Sequence, residues 1–262
     1  MRVTRLSTTP VKGLALHHPE SIDVDETGAR GDRLFFLADD RPSLVSIAKT
    51  GALVGVTATY DEANLWLTVS ADGGVVAEGA VSPGEDVSAD FFAFRLAPGR
   101  FVPGPWDRML SDLAGRHLRL VMGSDALRGH DVEPLTLLGT ASTEALGAQA
   151  GGAVDARRFR MLIEFSSEEP HVEDTWNGSV IRVGEAELEV GGPVQRCAGT
   201  TRNPDSGRVD LRTLQLIGGY RGRQDSIFGP GFNFGVYARC RVPGRIAVGD
   251  AVEATDARRM RA

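Results

Sequence analysis

The sequence predicts a mainly β fold with a few helices, an α+β protein in two lobes. Three features carry that expectation. Short apolar runs bounded by turn residues recur along the chain, 32 glycines punctuate it, and helical periodicity is clear in only one stretch. A chain of 262 residues, 42% hydrophobic and 24% charged, suffices for one large domain or two small ones. Its formal charge of −6 argues against a nucleic-acid partner, which requires Lys and Arg concentrated on one face.

The first element is a short strand over Val3–Leu6, followed by Thr9-Pro10-Val11-Lys12-Gly13-Leu14. A lysine beside a glycine in a turn after a strand can meet a phosphate as a point charge, although such a lysine is more often merely solvated. His17 and His18 point to opposite faces in an extended chain and read as loop residues, not as a metal pair. Gly28 and Gly31 mark turns before the apolar run 34–38, with Asp32 and Arg33 at its mouth. An arginine there can clamp an anion or make a structural Asp–Arg pair. Strands expected at 53–60, 64–70 and 91–96 complete a small β barrel or curled sheet.

Pro105 opens the clearest helix: Trp106, Met109, Leu110 and Leu113 recur at three- and four-residue spacing, and Gly115 can stop it. A strand at 118–122 precedes the polar, glycine-containing stretch 123–131, where the lobes divide into expected domains over 1–125 and 126–262. The second opens with a strand at 135–138 and a short helix over 142–149, capped by Thr140 or Ser142. Arg157, Arg158 and Arg160 then enter a strand at 161–165. Arg158 and Arg160 are two apart, so in an extended chain they share a face and could grip one anion together. An acidic turn at Glu173-Asp174 leads to strands at Val180–Val183 and 186–190 and on to Cys197.

Cys197 is one of only two cysteines. Flanking Arg196 and Arg202 could favour its thiolate, the form that attacks electrophiles and binds soft metals. A lone cysteine is most often a small buried hydrophobe, so local sequence leaves both readings open. Leu211, Leu214 and Ile217 suggest a helix closed by Gly218-Gly219, before a strand at 234–240 and a turn and closing strand over 243–252. The glycine-rich loop 228–233 lacks the spacing and following helix of a dinucleotide fingerprint.

Two cysteines can build neither a disulfide framework nor the four thiolates of an ordinary iron–sulfur cluster. No apolar run approaches the roughly 20 residues of a membrane span, and no signal-peptide core follows Met1. A cytoplasmic protein without a membrane partner is expected.

Several motifs together resemble a known family. Arg158-Phe159-Arg160, Glu173-Asp174-Thr175-Trp176, Arg196-Cys197, Asn203-Pro204-Asp205-Ser206-Gly207, Phe234-Gly235-Val236-Tyr237 and the stretch 243–250 resemble, in that order, a MOSC domain. Pro10-Val11-Lys12 and Gly31-Asp32-Arg33-Leu34 resemble the β-barrel domain that precedes many MOSC domains. The resemblance implies a β-barrel-like MOSC domain behind a smaller N-terminal β-barrel domain. It also implies a pyranopterin molybdenum cofactor and, as in the amidoxime-reducing members, reduction of small N-hydroxylated or N-oxide substrates.

On the same ground Cys197 would be the molybdenum ligand and the catalytic residue. Lys12, Arg33 and Arg160 would hold the cofactor's phosphate and pterin, with Gly13, Arg158, Gln195 and Tyr237 in the same site. Gly13, Met161-Leu162 and Gln195 stand where the family commonly has Ser, Pro-Asn and Ser, and each alters a hydrogen bond of about 1 kcal/mol. Without its own cluster the chain would need an external flavin, haem or iron–sulfur protein as electron donor. A persulfide-carrying sulfur-transfer protein and a non-catalytic cofactor carrier remain the alternatives, and Cys240 is a structural core residue in every case.

Overall fold

The computed structural model describes residues 1–254, so the end of the expected second domain, 255–262, lies outside the described residues. In chain order the first half contains β1 (Val3–Leu6), β2 (Ser21–Asp25), β3 (Gly28–Ala29), β4 (Phe35–Ala38), β5 (Thr57–Asp61), β6 (Trp66–Ala71), β7 (Gly74–Ala80), β8 (Asp86–Phe91), β9 (Arg95–Phe101), helix α1 (Pro105–Ala114) and β10 (Arg119–Gly123). The second contains β11 (Leu135–Gly139), α2 (Thr140–Ala150), β12 (Ile163–Phe165), β13 (Val180–Val183), β14 (Ala186–Gln195), α3 (Thr213–Arg221), β15 (Asn233–Val242), β16 (Gly244–Ala247) and β17 (Val252–Ala254). The mainly β expectation holds. None of these helices is long and apolar enough to cross a membrane.

The second lobe is built on a seven-stranded sheet of order β1-β12-β11-β15-β14-β13-β17, antiparallel except between β11 and β12. Its two edges meet: the Val3 amide donates to the Asp250 carbonyl at 2.9 Å and the Gly249 amide to the Val3 carbonyl at 2.8 Å. The sheet thus curls into a nearly closed barrel, which hides the edge groups an open sheet exposes. Alternation fills it: Ile181 and Val183 point inward on β13 while Arg182 points out. The central β15 is buried from Asn233 to Ala238 and reads as a continuous apolar run, because both its faces are covered.

The first lobe packs a four-stranded sheet, β4-β10-β9-β8, and a three-stranded sheet, β5-β6-β7, around its own core, with α1 alongside. Helix α1 keeps its expected ends, Pro105 in the first turn and Gly115 in the left-handed conformation after the last. Trp106 and Leu110 are buried, but Leu113 is 38% exposed, so the apolar stripe is narrower than the sequence suggested.

Four expected elements need correction. The strand at 91–96 is a hairpin turn: β8 ends at Phe91 and β9 begins at Arg95, with Phe92 and Ala93 at φ 62° and 56°. Phe91-Phe92-Ala93-Phe94 contains none of the usual turn residues, so composition concealed the reversal. Residues 53–56 are turn, and β5 starts only at Thr57. Helix α2 has Gly139 at its N-cap and no side-chain cap; the Thr140 hydroxyl accepts from the Ser167 amide, and the Ser142 hydroxyl donates to Glu173. Helix α3 runs through Gly218-Gly219 and ends at Gly222, since the Phe232 ring lies 2.6 Å from where a Gly218 Cβ would stand.

The lobes share the early chain. After β1 in the barrel, Val11 and Leu14 enter the first lobe's core; β2 and β3 then pair with β16 and pack on the barrel core; Leu34 and β4 return to the first lobe. The segment near 125 is the last of these crossings.

Candidate functional site

Crossings place polar residues at the lobe junction: Lys12 and Gly13 after β1, Arg33 after β3, and His130 and Asp131 between β10 and β11. They line one cleft with about 830 Å³ of non-protein space, part of it open to solvent. The cavity itself measures about 120 Å³, smaller than the ~300–1,000 Å³ usual for small-molecule and cofactor sites. All the residues singled out by the sequence, Lys12, Gly13, Arg33, Arg158, Arg160, Gln195, Cys197 and Tyr237, line this same cleft.

Its cations are buried and unevenly neutralised. Lys12 Nζ lies 2.7 Å from Asp131 Oδ1. Burial lowers the Lys12 pKa, Asp131 partly opposes this, and Arg33 and Arg160 push it further down. Arg33 pairs with the fully buried Asp32 and donates through Nη2 to the Arg160 carbonyl at 3.0 Å. Arg160 donates to the Leu14 carbonyl at 2.6 Å, and burial, reinforced by Arg33, brings its pKa to about 9. It stays protonated at neutral pH.

The expected shared face of Arg158 and Arg160 is not how they meet. Residues Ala156–Phe159 form a 3₁₀ turn and Arg160 is left-handed at φ 52°, so strand alternation does not apply. Arg158 turns to Asp210 at 2.7 Å and Arg160 to Leu14. Both nonetheless line the cleft.

Cys197 is exposed at the end of β14, whereas Cys240 is 8% exposed in the barrel core. Burial therefore separates the two readings of a lone cysteine. The flanking arginines act differently from expectation: Arg202 donates to the Gly207 carbonyl at 3.0 Å, and Arg196 grips the Phe234 carbonyl at 2.7 Å and the Phe159 carbonyl at 3.1 Å. Burial lowers the Arg196 pKa to about 10, while Tyr237 and Cys197 act to raise it. Gln195 accepts from the Ser226 hydroxyl. Burial holds the Tyr237 phenol protonated well above its ordinary range.

Sequence reasoning missed His130, Asp131, Phe92 and Ile47, which line the cleft from the first lobe and the lobe junction. No local motif marks them. His130 is 3% exposed, its Nε2 has no hydrogen-bond partner, and burial together with Arg33 and Lys12 keeps its pKa well below the ordinary value.

This donor set suits an anionic occupant. Among the described residues no three His, Cys, Asp or Glu side chains converge to hold a metal ion. One accessible thiol suits a soft metal that brings its own chelator. Arg160 and Arg196 bond to backbone carbonyls and, among the described residues, to no carboxylate, which leaves positive charge for an anionic group.

Residues 124–253 match the family model described as the MOSC domain, and residues 1–96 that of the MOSC N-terminal beta barrel domain. The chain is 32% identical over 132 residues to human mitochondrial amidoxime-reducing component 1, covering 49% of this chain and 39% of that protein. It is 30% identical over 159 residues to the Xenopus laevis protein of the same name, covering 59% and 46%. The matches thus span less than half the length of these curated relatives. Among solved structures, the YUAD protein from Bacillus subtilis aligns over 97% of this chain and 94% of its own, at 11% identity and a TM-score of 0.46.

Proposed function

Because the chain belongs to the MOSC domain family, with the N-terminal β-barrel domain ahead of the MOSC domain, we propose that its cleft holds a pyranopterin molybdenum cofactor and serves a reductase. The substrates are small N-hydroxylated or N-oxide compounds. One observation carries the reading: an exposed thiol, Cys197, opens onto a cleft whose buried cations exceed its carboxylates. Bound there, the cofactor supplies two-electron removal of oxygen from nitrogen, which consumes two electrons and two protons and releases water. The electrons come from a separate flavin, haem or iron–sulfur protein.

The chain's own residues bind, orient and shield. Cys197 offers one thiolate ligand, held by the turn in which Thr200 donates both its amide and its hydroxyl to the Cys197 carbonyl. Lys12, Arg33 and Arg160 converge as the anion clamp, Lys12 as a point charge and the arginines as planar forks. Tyr237 keeps its proton on Oη at any working pH and can present it as a hydrogen-bond donor.

The test is the molybdenum and pterin content of protein purified from a cofactor-competent host, beside Cys197→Ser. Near-stoichiometric metal in the parent, with loss of the metal or of its thiolate absorption in the variant, is the expected result. A parent that carries neither metal nor pterin would sink the proposal, and a persulfide on Cys197 would then favour sulfur transfer.

A further inference from the structure

We propose that Phe92 is the substrate-selecting wall of this cleft, favouring planar, conjugated N-oxygenated compounds over saturated ones with the same reacting group. The inference rests on the reductase reading above and adds the substrate class.

Four observations support it. Phe92 lines the cleft yet is 47% exposed, a large apolar ring left facing open space. It stands at φ 62° with Ala93 at φ 56°, consecutive left-handed residues that a bulky side chain enters only at a cost in strain. Strain of this kind persists only where the surroundings hold it, and here they do. Arg95 donates to the Arg128 carbonyl at 3.0 Å and the His130 carbonyl at 2.8 Å, and pairs with Asp125 at 3.1 Å, tying the hairpin to the junction segment. Phe94 packs on Phe228 of the second lobe at 4.5 Å between ring centroids. The hairpin tip is therefore clamped from both sides.

The thiol's surroundings complete the picture. A Cβ placed on Gly199 would lie 2.8 Å from Ile47 Cγ1 and 3.4 Å from Cys197 Sγ, so Ile47 and the thiol flank one glycine. Ile47 and Phe92 thus bring apolar side chains to a cleft whose charge gathers around Lys12, Arg33 and Arg160. An apolar pocket wall rewards any hydrophobic substituent by contact area alone. An aromatic ring adds stacking, which a planar substrate gains and a saturated one does not.

The experiment uses the cofactor-loaded enzyme and two N-hydroxyamidines that differ only in a phenyl or a cyclohexyl substituent, which match in size. Phe92→Ala is expected to lower kcat/KM for the phenyl compound about tenfold, mostly through KM, and to lower that for the cyclohexyl compound much less. Phe92→Tyr should retain the parent's preference. Phe92→Gly should lose it with a Tm no lower than the parent's, since glycine accepts this backbone freely. Molybdenum content is measured in every variant.

Equal losses on both compounds, no loss on either, or depleted molybdenum in Phe92→Ala would overturn the assignment, the last by making Phe92 a cofactor contact. If neither compound is turned over by loaded enzyme, the reductase reading fails by itself. Calorimetric binding of the phenyl compound to parent and Phe92→Ala then decides the role of the ring: unchanged affinity rejects it.

Discussion

Replacing Asp131 by Asn should move stability and anion affinity in opposite directions. Asp131 Oδ1 is 2.7 Å from Lys12 Nζ, with the lysine side chain 11% exposed and the aspartate 41%. Exposed pairs contribute about 0–1 kcal/mol, whereas removing one partner of a fully buried pair costs roughly 3–5 kcal/mol. With one partner buried and the other partly open, a loss of about 1–2 kcal/mol follows, or roughly 2–6 °C in Tm for a chain of this size. The same change removes negative charge from a cleft lined by Lys12, Arg33, Arg158, Arg160 and Arg196. A unit charge about 8 Å from a bound anion is worth ~2 kcal/mol at an effective dielectric constant near 20. Screening at the half-open carboxylate leaves about 1 kcal/mol, roughly a fivefold gain in affinity. Thermal unfolding and calorimetric titration with inorganic pyrophosphate, on parent and variant, read the two effects. Weaker pyrophosphate binding to the variant would refute this, because Asp131 would then be organising the cations, not opposing the anion.

Two further outcomes follow from the packing and the buried histidines. Gly207 has φ +67°, and a Cβ there would stand 1.9 Å from the Gly51 carbonyl oxygen, so Gly207→Ala should cost about 2–4 kcal/mol in urea unfolding; a cost below about 1 kcal/mol would mean that the two loops do not pack this way. Burial lowers the pKa of His130, and that of His171 to about 4, so below the ordinary value of about 6.5 the unfolded chain binds protons that the folded one excludes. Stability is therefore full above that value and falls on acidification, by at most ~1.4 kcal/mol per pH unit for each histidine and less for the half-buried His171. The buried carboxyls Glu164 and Glu173, with raised pKa values, act in the opposite sense. The difference between parent and His130→Gln isolates the histidine: the variant's urea midpoint should vary less between pH 7 and 5, and parallel curves would exclude His130 as a contributor.

What could be read from the sequence divides along physical lines. Strands with strict alternation or continuous burial, such as β13 and β15, were legible because side-chain period and burial are local. The 92–94 turn was not, because aromatic residues occupy a reversal that tertiary clamps enforce. Barrel closure between β1 and residues 249–250 joins distant parts of the chain and leaves no local trace. At the site, local charge could not have chosen between the cysteines: Cys197 follows Arg196, and Cys240 sits between Arg239 and Arg241. The family motif picked Cys197, which is the exposed cysteine of the two. Arg158 and Arg160 were named for a face-sharing geometry that does not exist, yet both reach the cleft through a turn.

The charge conflicts of the cleft share one remedy. Of the eight non-glycine residues with positive φ among the described residues, Arg33, Phe92 and Arg160 line the cleft. Lys12, Arg160 and Arg196 have pKa values lowered by burial, which means that their charged forms are destabilised there. In the cleft Lys12, Arg33 and Arg158 meet Asp131, Asp32 and Asp210, but Arg160 and Arg196 meet backbone carbonyls instead, whereas outside it Arg157 meets Asp155 and Asp205. A scaffold needing only stability would gain by neutralising the cleft in the same manner, since unpaired buried charge is costly. Natural chains keep such local conflicts mainly at functional sites. Because these cleft cations have the same sign, an anionic occupant relieves them together, and its binding should stabilise the fold by about 2.7 kcal/mol at a hundredfold excess over Kd. A neutral ligand of equal size would fill the space and leave the charge conflict standing.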